Sequence, residues 1–217
     1  MTANRRPLKT RGSGWAATLA ATLARTGLRP DAISASSMIF ALGGAGAFWL
    51  SADAPAGPRA LLLISAGICI QLRLLANLLD GMVAVEHGRG GPLGPVWNEL
   101  PDRIADILFL AGAGYALRHI SPDVGPILGW LAATLAVLTA YIRELGRGLG
   151  CEADFAGPGA KPHRMAALTA GCVLAAAGTL WHADSAILVL TLAVIVGLTV
   201  VTVVRRTLRL ASRLRAA

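Results

Sequence analysis

The chain has 217 residues, of which 55% are hydrophobic and 15% charged, and its mean hydropathy is +0.61. That is too apolar for an ordinary soluble domain and is the composition of a small polytopic membrane protein. The net charge of +8 does not indicate a nucleic-acid binder, because the basic residues sit beside apolar spans; anionic lipid headgroups and phosphorylated substrates are the expected partners.

Residues 1–9 read as a basic tail, in which Arg5, Arg6 and Lys9 lead only to a short mixed stretch without a signal peptide's apolar core and cleavage site. From about Gly12 to Arg25, Trp15, Leu19 and Leu23 recur every fourth residue, which predicts an amphipathic helix lying in the membrane interface. Six crossings follow. The first is Ile33–Leu50, where Gly43, Gly44 and Gly46 permit close helix contact. The second, Arg59 to about Val85, exceeds the roughly 20 residues a bilayer requires, so its last turns reach the headgroup level. A flexible connection containing Gly88, Gly90, Gly91, Pro92, Gly94 and Pro95 leads to the third, Asn98–Leu117. The remaining three run from about Pro126 to Arg143, Arg164 to Leu180 and Ser185 to Val204.

No internal repeat is visible. The expected fold is an all-α integral membrane protein with six transmembrane helices and an N-terminal interfacial amphipathic helix. Its expected parts are a tail and interfacial helix over 1–29, a six-helix domain over 30–206 and a basic C-terminal tail over 207–217. Cys69, Cys151 and Cys172 have neither C-x2-C spacing nor the look of a disulfide framework. The side of the N-terminus is assigned Arg5, Arg6, Lys9, Arg11, Arg25, Arg29, Arg89, Arg103, Arg143, Arg147, Lys161, Arg164 and the tail arginines from Arg205 to Arg215; the other side has Arg59 and Arg118. By the positive-inside rule both termini are cytoplasmic, in a bacterial inner membrane. The tail arginines are expected to anchor the last helix to anionic lipid.

Chemistry concentrates between Asn77 and Asp106, which reads NLLDGMVAVEHGRGGPLGPVWNELPDRIAD. An ionisable residue in a membrane span is costly and usually faces a protein interior or a wet cavity where it has a function. Arg73, Asn77, Asp80 and Ala84 share one helix face; Asn98, Asp102 and Asp106 share a face of the next helix. Packed together, the two faces converge Asp80, Asp102 and Asp106. Such carboxylates repel one another unless a cation lies among them, and oxygen ligands suit a hard divalent ion such as magnesium. Helix-end charges paired without a metal are the alternative.

These residues resemble the CDP-alcohol phosphotransferases, integral membrane enzymes with the pattern Asp-x2-Asp-Gly-x2-Ala-Arg-x8-Gly-x3-Asp-x3-Asp. Asp80, Gly81 and Ala84 match its first half, and Asp102 with Asp106 its closing pair; Asn77 replaces the first Asp and Val85 the Arg. Counted strictly, Gly94 takes the Gly position and the pair is Asn98 and Asp102; a loop one helical turn longer makes it Asp102 and Asp106. Pro30–Ser34, Arg143–Glu144 and Gly159–Arg164 are similar to flanking family segments, so the resemblance covers roughly residues 30 to 170.

The resemblance implies transfer of a substituted phosphate, phosphatidyl in most cases, from CDP-diacylglycerol or another CDP-alcohol to an alcohol acceptor, with release of CMP in phospholipid synthesis. It also implies Mg2+ or Mn2+, a homodimer and a polar cavity open to the cytoplasm. Asn77, Asp80, Asp102 and Asp106 are the expected metal ligands, with Asp106 and Asp102 catalytic and Glu99 able to rebalance the charge lost at Asn77. Asp80, Gly81 and Ala84 are expected at the nucleotide; Gly81 and Ala84 serve packing on the other reading. Arg73, Arg143, Lys161 and Arg164 are expected at phosphate or acceptor groups, although Arg73 also suits a salt bridge to Asp80. His87, His119 and His182 read as loop or interface residues. Two other functions compete: a catalytically impaired CDP-lipid-binding relative, motivated by Asn77 and Val85, and a small cation transporter.

Overall fold

Long apolar segments rich in Ala and Leu, interrupted by Gly, Pro and Asp, leave the backbone one inexpensive solution in a lipid environment, the α-helix. The computed structural model describes residues 14–27, 30–86 and 93–216, without the side chains of residues 85, 86, 95 and 98. The basic tail, Arg29, His87 and Arg89 lie outside the described residues. The helices are α1 (Gly14–Arg25), α2 (Pro30–Ser51), α3 (Ala56–Glu86), α4 (Gly94–Tyr115), α5 (Val124–Gly148), α6 (Lys161–Gly178) and α7 (Asp184–Ala216). A 3-10 turn, Thr179–Trp181, extends α6. No strand occurs among the described residues. Proline falls in the first turn of α4 and α6, where its missing N–H costs nothing.

Five helices, α2, α3, α5, α6 and α7, are long and apolar enough to cross a membrane. The fourth, α4, is 22 residues long but carries Glu99, Asp102, Arg103 and Asp106, which lower its hydropathy. From Asp102 onward it runs beside α3: Asp102 meets Arg73 in the C-terminal half of α3, while the carbonyl of Ala116, just past α4, accepts from Arg59 near the start of α3.

Helices α2 to α7 close into a ring: α3 packs on α2, α2 on α4, α4 on α5, α5 on α7, α7 on α6, and α6 back on α3. The interior is filled by Phe48, Leu63, Ile70, Phe109, Leu110, Met165, Leu168, Leu188 and Leu192 among many alanines. Large apolar side chains also face outward, including Ile39, Leu61, Trp130 and Leu190, as suits a surface solvated by lipid. The α4–α5 crossing depends on Gly114 and Gly129. A Cβ on Gly114 would lie 2.9 Å from the Gly129 Cα, so only two glycines let these backbones meet. Of the three α2 glycines expected to serve contact, Gly44 does so, against Phe109 and Cys69, whereas Gly46 faces open space.

The α1 face packed on the protein is Ala16, Ala20 and Ala24, set against Ala76, Leu79, Met82 and Val83 of α3, while Trp15 and Leu19 are exposed and Leu23 is half-buried. Small side chains allow the closer approach. Past the crossing expected to end near Val204, the last helix continues to Ala216. One sequence expectation needs correction. Arg206 is no lipid anchor: it is buried and donates through Nε to the Ala156 carbonyl at 3.0 Å and through Nη1 to the Thr139 carbonyl at 2.7 Å.

Charged groups tie the ring at both ends. At the end remote from Asp102, Arg59 donates through Nε to Asp184 Oδ2 at 2.6 Å and through Nη1 to the Ser51 carbonyl at 2.6 Å, with the Ser185 hydroxyl 3.4 Å from Nη2. This buried group joins α2, α3 and α7.

Candidate active site

The acids come from two adjacent helices and their cations from three positions around them. In the C-terminal half of α3, Arg73, Asn77 and Asp80 lie on the inner face, and Asp102 and Asp106 flank the middle of α4. Lys161 and Arg164 open α6. Asp80, Asp102, Asp106, Arg73, Lys161 and Arg164 are all buried. At such depth a charge persists only if it is paired or hydrogen-bonded.

Asp102 is the centre of the group. Its Oδ1 accepts from Arg73 Nη2 at 3.0 Å and from Asn77 Nδ2 at 2.9 Å, and it lies 2.6 Å from Lys161 Nζ. Its Oδ2 is 3.3 Å from Arg103 Nη2. Asp106 accepts through Oδ2 from Arg164 Nη2 at 3.0 Å, with Lys161 Nζ 3.4 Å from Oδ1. Arg164 is itself fixed, donating to the Gly159 carbonyl at 2.5 Å and to Thr139 Oγ1 at 3.3 Å. Asp80 instead accepts from the Ser34 hydroxyl at the start of α2. Three helices therefore hold the three acids.

Of the residues singled out from the sequence, Asn77, Asp102, Asp106, Lys161 and Arg164 are joined by direct contacts, while Asp80, one turn past Asn77, is held from α2. Arg73 pairs with Asp102 rather than with Asp80, because its long side chain reaches across to α4 while Asp80 is engaged from α2. Gly81 and Ala84 follow Asp80 on α3, both half-buried. The Asn98 and Val85 side chains lie outside the described residues. Arg143 stands apart from the acids, pairing with Glu99 at 2.5 Å and Glu144 at 2.8 Å. Sequence reasoning assigned no role to Ser34 or to Arg103 at this site. Ser34 belonged to a segment already noted, but only the packing of α2 on α3 reveals its partner.

The donor set was tested for a divalent cation. Every candidate ligand atom is a hard oxygen. The Oδ1 atoms of Asp80 and Asp106 are buried with no hydrogen-bond donor in bonding geometry, the state of a carboxylate that can still accept a cation. Among the described residues no three His, Cys, Asp or Glu side chains are close enough to hold a metal as they stand. The chemistry fits a hard cation; the charge balance now comes from Arg73, Lys161 and Arg164.

No protein-family model matches the sequence, and no curated protein matches it. Solved structures do. With phosphatidylinositol phosphate synthase of Mycobacterium tuberculosis bound to CDP-DAG, the TM-score is 0.76 at 21% identity, covering 91% of this chain and 94% of that one. With the same synthase in complex with manganese and citrate, the TM-score is 0.73 at 20% identity, over 90% and 88% of the two chains. For its apo form the values are 0.69, 21%, 88% and 93%. Across nearly the whole of both chains, this protein therefore has the fold of a phosphatidylinositol phosphate synthase.

Proposed function

We propose that the chain is a metal-dependent CDP-alcohol phosphotransferase, which transfers a phosphatidyl group from a CDP-linked lipid to an alcohol and releases CMP in phospholipid synthesis. The observation that carries this reading is the gathering of Asp80, Asp102 and Asp106 with Arg73, Lys161 and Arg164 at one end of a bundle whose fold is that of an enzyme crystallised with CDP-DAG and with manganese. Such a transfer needs a base for the hydroxyl proton and fixed cations for phosphate oxygens, and both kinds of group are present.

Mg2+ or Mn2+, held by Asp80, Asp102 and Asp106 with the Asn77 amide oxygen, would neutralise diphosphate charge when bound. Asp106 takes the acceptor's proton: its buried Oδ1 accepts no hydrogen bond and has the Lys161 ammonium 3.4 Å away. Arg164 keeps that carboxylate oriented through Oδ2. Asp102 holds Arg73 and Lys161 in place for phosphate oxygens. Gly81 and Ala84 leave the α3 surface low where the nucleotide lies beside Asp80.

The same reading takes α4 as a sixth span and α1 as an interfacial helix with Trp15 and Leu19 in lipid. It sets the site and both termini on the cytoplasmic side of a bacterial inner membrane, in a homodimer, with 30–206 as the catalytic domain.

Purified protein given CDP-diacylglycerol, Mg2+ or Mn2+ and a pool of acceptor alcohols should release CMP only when metal and acceptor are both present. Asp80→Ala and Asp102→Ala should abolish release. Full activity in either variant would sink the assignment. A second reading, a CDP-lipid-binding relative without turnover, is favoured by Asn77 and by the crowding of three donors on Asp102 Oδ1. Its signature is CDP-diacylglycerol binding with no CMP under any combination.

A further inference from the structure

Lysine is scarce in this chain. Of its 20 Lys and Arg residues only Lys9 and Lys161 are lysines, so Lys161 supplies the one side-chain ammonium among the described residues. Its surroundings set it apart as well. Lys161 Nζ lies 2.6 Å from Asp102 Oδ1 and 3.4 Å from Asp106 Oδ1, on a side chain 9% exposed. Arg73 forms its ion pair with Asp102 and Arg164 with Asp106. Among the described residues, Lys161 is the cation that these two acids share.

A guanidinium and an ammonium behave differently in such a place. Arg164 is a planar fork fixed at three points, the Asp106 carboxylate, the Gly159 carbonyl and Thr139 Oγ1. Lys161 is a compact charge on a flexible stem, and it meets neither acid in aligned hydrogen-bonding geometry. Charge rather than direction holds it, as charge holds a hard cation among carboxylate oxygens. The two Oδ1 atoms it approaches are oxygens that a metal at Asp102 and Asp106 would need, and two cations cannot share them. The ammonium does not leave unaided, since that would strand two buried carboxylates. It can be exchanged. The turn before it is fixed, with the Gly159 N–H donating to Thr202 Oγ1 at 2.7 Å, so rotation of the lysine stem is enough and α6 need not move.

We propose that the Lys161 ammonium is the resident counter-ion of Asp102 and Asp106, and that a divalent cation binds there by expelling it. The cluster is thereby neutralised before any metal arrives, and Asp102 holds Lys161 only until the metal takes over its carboxylate. The exchange leaves the cluster one charge more positive, so an anionic ligand is favoured after the metal rather than before it. This inference rests on the metal-dependent reading of the site and not on phosphatidyl transfer.

Titration of Mn2+ into the full chain in nanodiscs of neutral lipid, followed by the electron paramagnetic resonance of free Mn2+, tests the exchange without any substrate. Lys161→Met should bind Mn2+ about tenfold more tightly than the parent, the equivalent of roughly one charge-assisted contact no longer contested. Arg147→Gln removes an exposed positive charge beside Glu144 without touching the cluster and should leave the affinity as it is in the parent. Thermal unfolding checks that each variant keeps its fold. A second readout needs no variant: saturating Mn2+ should make Lys161 of the parent react severalfold faster with an amine-acylating reagent, read by mass spectrometry with Lys9 as internal reference. Tighter binding in folded Lys161→Met with faster acylation in the parent supports the exchange, even if no donor yields CMP. Equal or weaker binding in Lys161→Met, or unchanged acylation at saturating Mn2+, would overturn it even if CMP release proves the transferase. An equal gain in Arg147→Gln would reduce it to a general field effect and overturn it too. Absence of Mn2+ binding in parent and variants alike would overturn both the exchange and the metal-dependent reading.

Discussion

Asp102 gathers Arg73, Asn77, Lys161 and Arg103, whereas Asp80 has the Ser34 hydroxyl as its side-chain donor. This contrast makes Ser34 the weak point of the acid group. Ser34→Ala should leave the fold intact but lower CMP release by about tenfold, the loss of one hydrogen bond to a charged group. A kcat effect at unchanged KM for the acceptor checks it. Arg164 is the opposite case, with a side chain 1% exposed and a paired carboxylate equally deep. Arg164→Gln leaves Asp106 with only Lys161 and should cost about 3–5 kcal/mol, read as a lowered unfolding midpoint in detergent, with Arg164→Lys recovering part. The acids, Lys161 and Arg164 could be picked out beforehand because they repeat at helical spacing or sit in recognisable segments. The partners of Ser34 and Arg73 could not, since they depend on which helix packs opposite.

The elements were readable to different degrees for a physical reason. Apolar runs announce α2 to α7, but their ends are set by capping and tertiary contacts that hydropathy does not register. Thus α7 runs on as a helix because Arg206 finds carbonyls on α5 and on the 149–160 loop. The Trp15–Leu23 stripe was visible in α1, yet the alanines between those residues make the protein contact. The start of α6 shows most clearly how an element serves the site. Gly159 donates its N–H to Thr202 Oγ1 at 2.7 Å, and its carbonyl accepts from Arg164. A Cβ there would lie 2.5 Å from the Leu198 carbonyl oxygen and the Thr199 backbone of α7. Gly159→Ala must push this turn outward and carry Lys161 and Arg164 with it. The expected result is a loss of about 1–3 kcal/mol of stability from overpacking, together with a fall in CMP release larger than that loss of folded protein explains. Activity matching the folded fraction would mean that the turn does not position the two cations.

At the scale of the whole molecule, the ring sorts its charged groups to two ends. Ser34, Asp80, Asp102, Arg143, Lys161, Arg164 and Arg206 lie toward one end; Asp53, Arg59, Arg118, His119 and Asp184 lie toward the other. Between them the ring is apolar inside and out, which is what a slab of hydrocarbon demands. Helix α4 falls short of the hydropathy of its neighbours; the proposed reading of it as a crossing alongside α5 puts the 149–160 loop on the side of the acids. The imbalance of Lys and Arg predicts that this side is cytoplasmic. With Cys69 and Cys172 changed to Ala, Cys151 in that loop should resist a membrane-impermeant maleimide in right-side-out vesicles and react once the membrane is opened. A chain with all three cysteines replaced and His119→Cys should react in sealed vesicles, since that side chain is 57% exposed at the opposite end. Labelling of both positions from the same side would mean that α5, which alone separates them, does not cross. Complete reversal would keep six spans but turn the acids away from the cytoplasmic pool of cytidine nucleotides, removing the donor from the reaction proposed for them.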